Sequence, residues 1–154
     1  MNRQRLRSIK QRGLGYLSFE IPVVSMLFLV FAFLSADMGY VLYGADFNDR
    51  ACRDAARSAA QASNLAAAIK KVNAVLQSHK GNAMVMSGPS LLGPVVYQDY
   101  GGSPPAQTSP YVTVTTTTTI NLPFSPIRFD GATFGSNGNM SFTQSYTFPI
   151  VRFK

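Results

Sequence analysis

The hydrophobic positions fall into three regimes along the chain. From Ile21 to Gly44 the sequence reads IPVVSMLFLVFAFLSADMGYVLYG, apolar all round and interrupted by a single charge, Asp37. A helix that is hydrophobic on every face belongs where no water reaches it. At 1.5 Å per residue this one is about 36 Å long, enough to cross a hydrocarbon core of about 30 Å. Pro22 stands near its start, where a missing backbone donor does least harm; a helix beginning earlier should kink there. Tyr40 and Tyr43 stand at the other end, where amphipathic rings suit the headgroup layer.

From Ala45 to about Gln77 the pattern becomes periodic. Phe47, Ala51, Ala55, Ala59, Ala62, Ala66, Ile69, Val72 and Leu76 recur at steps of three or four and form one apolar stripe. Alanine dominates its first half, so a partner element can approach closely. Asp46–Arg50 and Asp49–Arg53 are acid-first pairs at spacing four, suited to a solvated helix face. The expected element is a helix continuous with the apolar run, loosened near Ser63-Asn64 and stopped by Gly81.

Beyond residue 82 the period changes to two. In Tyr111–Leu122 the positions Val112, Val114, Thr116, Thr118, Ile120 and Leu122 share one face of a strand. The run Thr115–Thr119 is low in complexity, but threonine is a good strand former. A second strand is expected over Met140–Phe148, with Met140, Phe142, Tyr146 and Phe148 on one face. Asp130-Gly131 and Asn137-Gly138 signal turns between the two. Shorter strands are expected at Met84–Met86 and Val95–Tyr97, and Gly101–Pro110 reads as a loop. The β part has about 73 residues, marginal for an independent core, so the helical stripe over 45–77 must supply its cover.

Charge sharpens the picture. Charged residues are 14% of the 154, against roughly 25% in an ordinary soluble domain. The net charge of +7 is unevenly placed: Arg3, Arg5, Arg7, Lys10 and Arg12 stand in the first fifteen residues with no acid, and the remainder carries +2. A basic tail before an apolar run puts the N-terminus in the cytoplasm and the rest of the chain outside. A near-neutral body with no basic patch among its aromatics argues against nucleic acid as a partner. A cleaved secretory signal is the rival reading of the apolar run, but a signal core is shorter, about 7–15 residues, and Leu34 occupies the position before Ser35-Ala36 that needs a small residue.

Candidate chemistry is sparse. Cys52 and His79 are the lone cysteine and the lone histidine, too few for a zinc site of the usual kind, and no acid stands in an obvious relation to His79. Cys52 reads as a small packing residue, with an intermolecular bridge as the alternative, and His79 as a solvated residue at a helix end. No glycine loop cradles phosphate ahead of a helix. Asn139-Met140-Ser141 matches a glycosylation sequon, a common chance match. No cofactor, metal site or catalytic residue is expected, and the chain does not read as an enzyme.

Ahead of the apolar run stands Arg12-Gly13-Leu14-Gly15-Tyr16-Leu17-Ser18-Phe19-Glu20. Glu20 abuts the lipid core, where an ionised carboxylate is costly unless paired or interfacial. An acid at a helix start also complements the dipole, but that does not account for the basic leader and Gly15 together. The run Gly15–Glu20 resembles the prepilin peptidase site of type IV pilins and pseudopilins. The resemblance implies cleavage between Gly15 and Tyr16, a mature chain of 16–154, and pairing of Glu20 with the new amino group of a neighbouring subunit. Asp37-Met38-Gly39, followed by the Ala/Arg-rich run over Asn48–Ala60, is similar to the TadE-like minor pilins of tight-adherence (Tad) pilus systems, with Tyr40 a departure. Asp37, Gly39, Arg53 and Arg57 would then mark the helix continuation that contacts partners.

Together these readings lead us to expect an α+β fold: a basic leader over 1–15, a long helix over 16–80 with its transmembrane part at 21–44, and an extracytoplasmic β-rich domain over 82–154. The outer half of the helix would pack on a small antiparallel sheet, a pilin-like lollipop. The resemblance implies a single-pass bacterial inner-membrane protein whose partners are membrane lipid, other pilin-like subunits, the pilus assembly machinery and prepilin peptidase. The alternative is a membrane-tethered β-domain that binds polysaccharide or a surface partner.

Overall fold

The computed structural model describes residues 3–82, 84–123, 127–129, 132–134 and 138–150, with backbone alone for 3–19, 127–129 and 132–134. Asp130-Gly131 and Asn137, singled out above as turn signals, lie outside the described residues. The chain is α+β, with a long N-terminal helix and a small antiparallel sheet. It divides between Met38 and Gly39 into two units.

The first unit is the N-terminal part of α1 (Arg3–Ala60). Its residues from Glu20 to Ser35 are exposed on every face among the described residues, an arrangement a helix apolar all round does not keep in water. α1 begins well before Pro22, so one carbonyl of the preceding turn lacks its usual donor. Among the described residues this is the one helix long and apolar enough to cross a membrane.

The second unit holds the rest. α1 stops at Ala60, and α2 (Leu65–Ser78) follows after a four-residue break. The loosening expected near Ser63-Asn64 is a full break, and the chain reverses there. Asn64 caps α2 by accepting the Ala67 N–H at 2.8 Å, a bond that a residue inside a helix has no free donor to receive. The α2 terminus then lies beside Phe47 and Asp54 of α1, so the two helices are antiparallel. The break re-phases the stripe. Ala66 and Ile69 face water, Ala68 is buried instead, and Val72 and Leu76 of the expected stripe are buried.

The sheet is built on β3 (Tyr111–Asn121), whose alternate residues Val112, Val114, Thr116, Thr118 and Ile120 are buried. β6 (Asn139–Pro149) pairs with it antiparallel over its whole length, from Tyr111↔Pro149 to Asn121↔Asn139 in one unbroken register. The opposite edge of β3 takes β1 (Ser90–Leu91) and β2 (Val96–Gln98), both antiparallel. Met84–Met86 is not a strand but a tight turn that touches β3 through a single Met86↔Ile120 bridge. β4 (Ile127–Phe129) and β5 (Ala132–Phe134) pair antiparallel with each other in a separate two-stranded sheet.

The core is where α1 and α2 meet the inner face of this sheet. Alanines 51, 55, 56, 59, 60, 62 and 68 contribute most of it, with Val72, Leu76, Val95, Val112, Val114 and Ile150. Each alanine removes little apolar area from water, so close approach and directed polar contacts must do more of the holding. The contact residues on α1 recur every fourth position: Gly44, Asn48, Cys52, Ala56 and Ala60 are all buried.

Asn48 lies across the β3–β6 seam. Its Nδ2 donates to the Phe142 carbonyl at 3.0 Å and the Thr116 carbonyl at 3.4 Å. Its Oδ1 accepts from the Thr116 and Thr118 hydroxyls at 3.0 and 3.1 Å. Backbone carbonyls only accept, so this orientation of the amide is the one that satisfies all four positions. One helical step further, the Cys52 Sγ–H is shared between the Val114 and Gln144 carbonyls, both at 3.3 Å. The pattern recurs because four helical residues advance about 6.0 Å and two strand residues about 6.6 Å. One step back, Gly44 lies against Ile120: a Cβ there would come within 1.9 Å of Ile120 Cδ1.

Two stability outcomes follow, measured by denaturant unfolding of the full chain in detergent micelles with circular dichroism. Asn48→Ala, which opens a cavity and strands two threonine hydroxyls, is expected to cost about 2–4 kcal/mol. Gly44→Ala is expected to cost about 1–3 kcal/mol, and combining it with Ile120→Val, which deletes the obstructing methyl, to cost less than the two separate effects added. Strict additivity would show that the Gly44–Ile120 contact is not what demands glycine.

Candidate membrane and assembly interface

The residues marked by the sequence occupy three places on the chain. Gly15 and Tyr16 lie within the helical backbone of α1. Glu20 is exposed, and it opens a stretch in which Ile21 to Ala36 carry no charge. Asp37 closes that stretch; it is 9% exposed, and its Oδ1 has no hydrogen-bond partner among the described residues. Gly39 is exposed, and a Cβ built there meets nothing within 4 Å. That open space leaves room beside the helix but needs no glycine on steric grounds within this chain.

Arg53 and Arg57 sit elsewhere, over β6. The Arg53 guanidinium pairs with Asp49, donates to Tyr146 Oη at 3.3 Å, and lies 5.4 Å from the centre of the Tyr146 ring. Tyr146 in turn donates to the other Asp49 oxygen, which closes a three-membered cluster. The Tyr146 bond, followed by the Asp49 charge, pushes the Arg53 pKa up. Arg57 stacks its guanidinium 5.7 Å from the Phe148 ring centre. These cations cover the aromatic residues at the margin of the inner face, a contact within one chain. Asp46–Arg50 is the solvated pair that spacing suggested.

His79 departs from the expectation. It caps α2, stands 3.5 Å from Asp54, and meets the Phe47 ring edge-on at 5.9 Å. Asp54 lies far from it in sequence, and only the reversal after Ala60 brings them together. Cys52 is the packing residue expected: buried, unpaired to any thiol, and held under the sheet. Among the described residues no cluster of His, Cys, Asp and Glu could hold a metal ion.

The outer face of the sheet is a hydroxyl surface. Thr113–Thr147, Thr115–Ser145 and Thr119–Ser141 join across β3 and β6 at 2.7, 3.0 and 3.0 Å. Threonine pairs of this kind stabilise an antiparallel ladder. Sequence periodicity separated this face from the buried one; it could not show that the hydroxyls bond to one another. Sequence patterns place Asp49 in an ion pair with Arg53 and Tyr146 on one face of a strand, but they do not show that the two meet or that Asn48 bonds to the sheet. A signal for Asn48 was present in the four-residue recurrence of small or polar residues from Gly44 to Ala60. The Asp49–Tyr146 contact spans most of the chain and leaves no local trace.

Comparison with protein-family models, with curated proteins and with solved structures finds no match to this chain.

Burial pushes the Cys52 thiol pKa up. Its contribution to stability is therefore intact below the unfolded thiol's value of about 8.5 and is lost as pH rises through that value toward the folded one. Unfolding measured at neutral and alkaline pH should show this loss in the native chain and less of it in Cys52→Ala. Maleimide labelling of the folded protein should be slower than that of the unfolded chain by a factor on the order of a hundred or more, because it must wait for the domain to open.

Proposed function

We propose that this chain is a membrane-anchored, pilin-like subunit or assembly factor of the TadE-like kind, acting by association through its N-terminal helix and not by catalysis. The observation that carries the reading is the helical stretch from Ile21 to Ala36, uncharged between Glu20 and Asp37 and exposed on all faces as far as Ser35. Such a surface is stable only in lipid or against other apolar helices. The exported domain does not draw on it, since its core is closed by Gly44 to Ala60, α2 and the sheet. That leaves the stretch available for a bilayer and for neighbouring copies.

In this reading the basic leader stays in the cytoplasm and prepilin peptidase removes it after Gly15. The new amino group at Tyr16 and the Glu20 carboxylate of a neighbour then relieve each other's desolvation inside lipid. Asp37 and Gly39, near the far boundary, belong to the surface that subunits share. The hydroxyl face of the sheet favours a second reading, a tethered domain that binds a neutral polysaccharide. Against it, the cross-strand pairs already occupy much of the hydrogen-bonding capacity of those hydroxyls.

The deciding measurement is the intact mass of the membrane-bound protein from cells with and without a prepilin peptidase. Loss of Met1–Gly15 only when the peptidase is present is the expected result. In the same cells Glu20→Ala should be processed yet fail to recover partner subunits in a detergent pull-down. An unshifted mass in both strains would remove the processing step and the proposal built on it.

A further inference from the structure

One edge of the sheet lies open beside a helix. β1 pairs with β3 through Ser90↔Thr117 and Leu91↔Thr116, and among the described residues no strand lies on its other side. The Leu92 N–H donates to the Thr115 carbonyl at 2.9 Å. Backbone groups alternate in direction along an antiparallel strand, so the N–H and C=O of Leu91 point away from β3. They are one donor and one acceptor of a ladder that has no next strand, the kind of edge to which another chain can pair.

That edge borders a groove. A cavity of about 560 Å³ is lined by Asn73, Leu76 and Gln77 of α2 and by Pro89, Ser90 and Leu91 at β1. Asn73 and Gln77 stand one helical turn apart, both exposed, and offer amide donors and acceptors to whatever enters. Gly81 and Gly88 meet at the same cavity: a Cβ on Gly81 would come within 2.7 Å of the Gly88 nitrogen. The chain leaving α2 and the chain entering β1 thus pass in backbone contact, which sets the helix end against the strand before any ligand arrives. The ionisable groups that line the groove are His79 and Lys80, and no carboxylate lines it. Asp54 engages His79 at 3.5 Å, so Lys80, exposed at the end of α2, is the cation left for an incoming group.

We infer that this groove is a peptide-binding site, in which an extended acidic segment of a partner protein adds to the sheet beside β1. The segment exchanges main-chain hydrogen bonds with Leu91 and sets a carboxylate side chain against Lys80. Its occupant is an extended peptide because the open ladder groups lie on one wall and side-chain amides on the other. It is acidic because the charge left to it is positive. Every residue of the site belongs to the unit that begins at Gly39. The inference therefore goes beyond association through the N-terminal helix and stands whether or not the leader is cleaved.

The test pans short random peptides displayed on phage against the full chain in lipid nanodiscs, with counter-selection on Gln77→Trp, whose indole fills the groove. Asn73→Trp takes its place should circular dichroism show that Gln77→Trp alters the fold. Enriched peptides are expected to alternate apolar and polar residues, to carry Asp or Glu at one recurring position, and to bind when synthesised. Changing that acid to its amide should weaken binding about three- to fivefold in fluorescence anisotropy, as for an exposed ion pair. Lys80→Glu should weaken the acidic peptide likewise and favour a lysine-bearing version of it. Hydrogen exchange of the segment holding Leu91 should slow when the peptide is bound. Enrichment of no peptide, or of peptides that bind Gln77→Trp equally well, would overturn the site. Binding without slower exchange at Leu91 would overturn strand addition, and binding indifferent to the acid and to Lys80→Glu would overturn the carboxylate. Dimers of the native chain that Gln77→Trp disperses, with no peptide enriched, would give the groove to a second copy and overturn the inference as well.

Discussion

The α+β domain depends on one amide. Asn48 is fully buried between a helix and two strands, and it is tolerable there because each of its hydrogen-bonding positions is filled. A buried amide left half-satisfied would cost more than an apolar side chain of the same size. Because Asn48 reaches both β3 and β6, it fixes the helix to the seam between them and not to either strand alone. The alanines around it bring the surfaces close but carry little direction of their own. Close packing and polar registration thus divide the work that large aliphatic side chains do in an ordinary core.

Periodic elements were legible in the sequence to the extent that their pattern was local. Alternation from Val112 to Ile120 predicts β3 and its buried face, and the same holds for Phe142, Tyr146 and Phe148 on β6. The apolar run from Ile21 identifies a helix long enough to cross a membrane. The reversal after Ala60 was harder to read, because Ala62, Ala66 and Ile69 extend the helical stripe through the break. What ends α1 is the capping of Asn64 and the burial gained when Ala68, Val72 and Leu76 fold back, and the second of these is a tertiary effect. His79 and Asp54 meet only as a result, so their contact was invisible to any pattern of spacing. Three apolar residues in a row, Met84 to Met86, fit a strand or a turn equally, and the structure has the turn.

Different demands act on the two stretches of α1. Ile21 to Ala36 requires only to be apolar, long and helical, so many sequences satisfy it. Gly44 to Ala60 must place a small or a matched polar residue at every fourth position, and few sequences do. Arg53 and Arg57 lie just off that line, where their stems and planar heads cover the rings of Tyr146 and Phe148. The basic residues Arg53 and Arg57 therefore have a role within one chain.

The four-to-two match between helix and strands gives the domain a fixed unit of length. One residue inserted in α1 between Gly44 and Ala60 would turn every later contact by about 100° and bring side chains such as Asp54 toward the sheet. Inserting four would nearly restore the facing but shift the helix by about 6 Å, which only two further residues in each of β3 and β6 would match. Relatives of this chain should thus vary in length freely in the loop over 101–110, and along the seam only in coordinated steps of four and two.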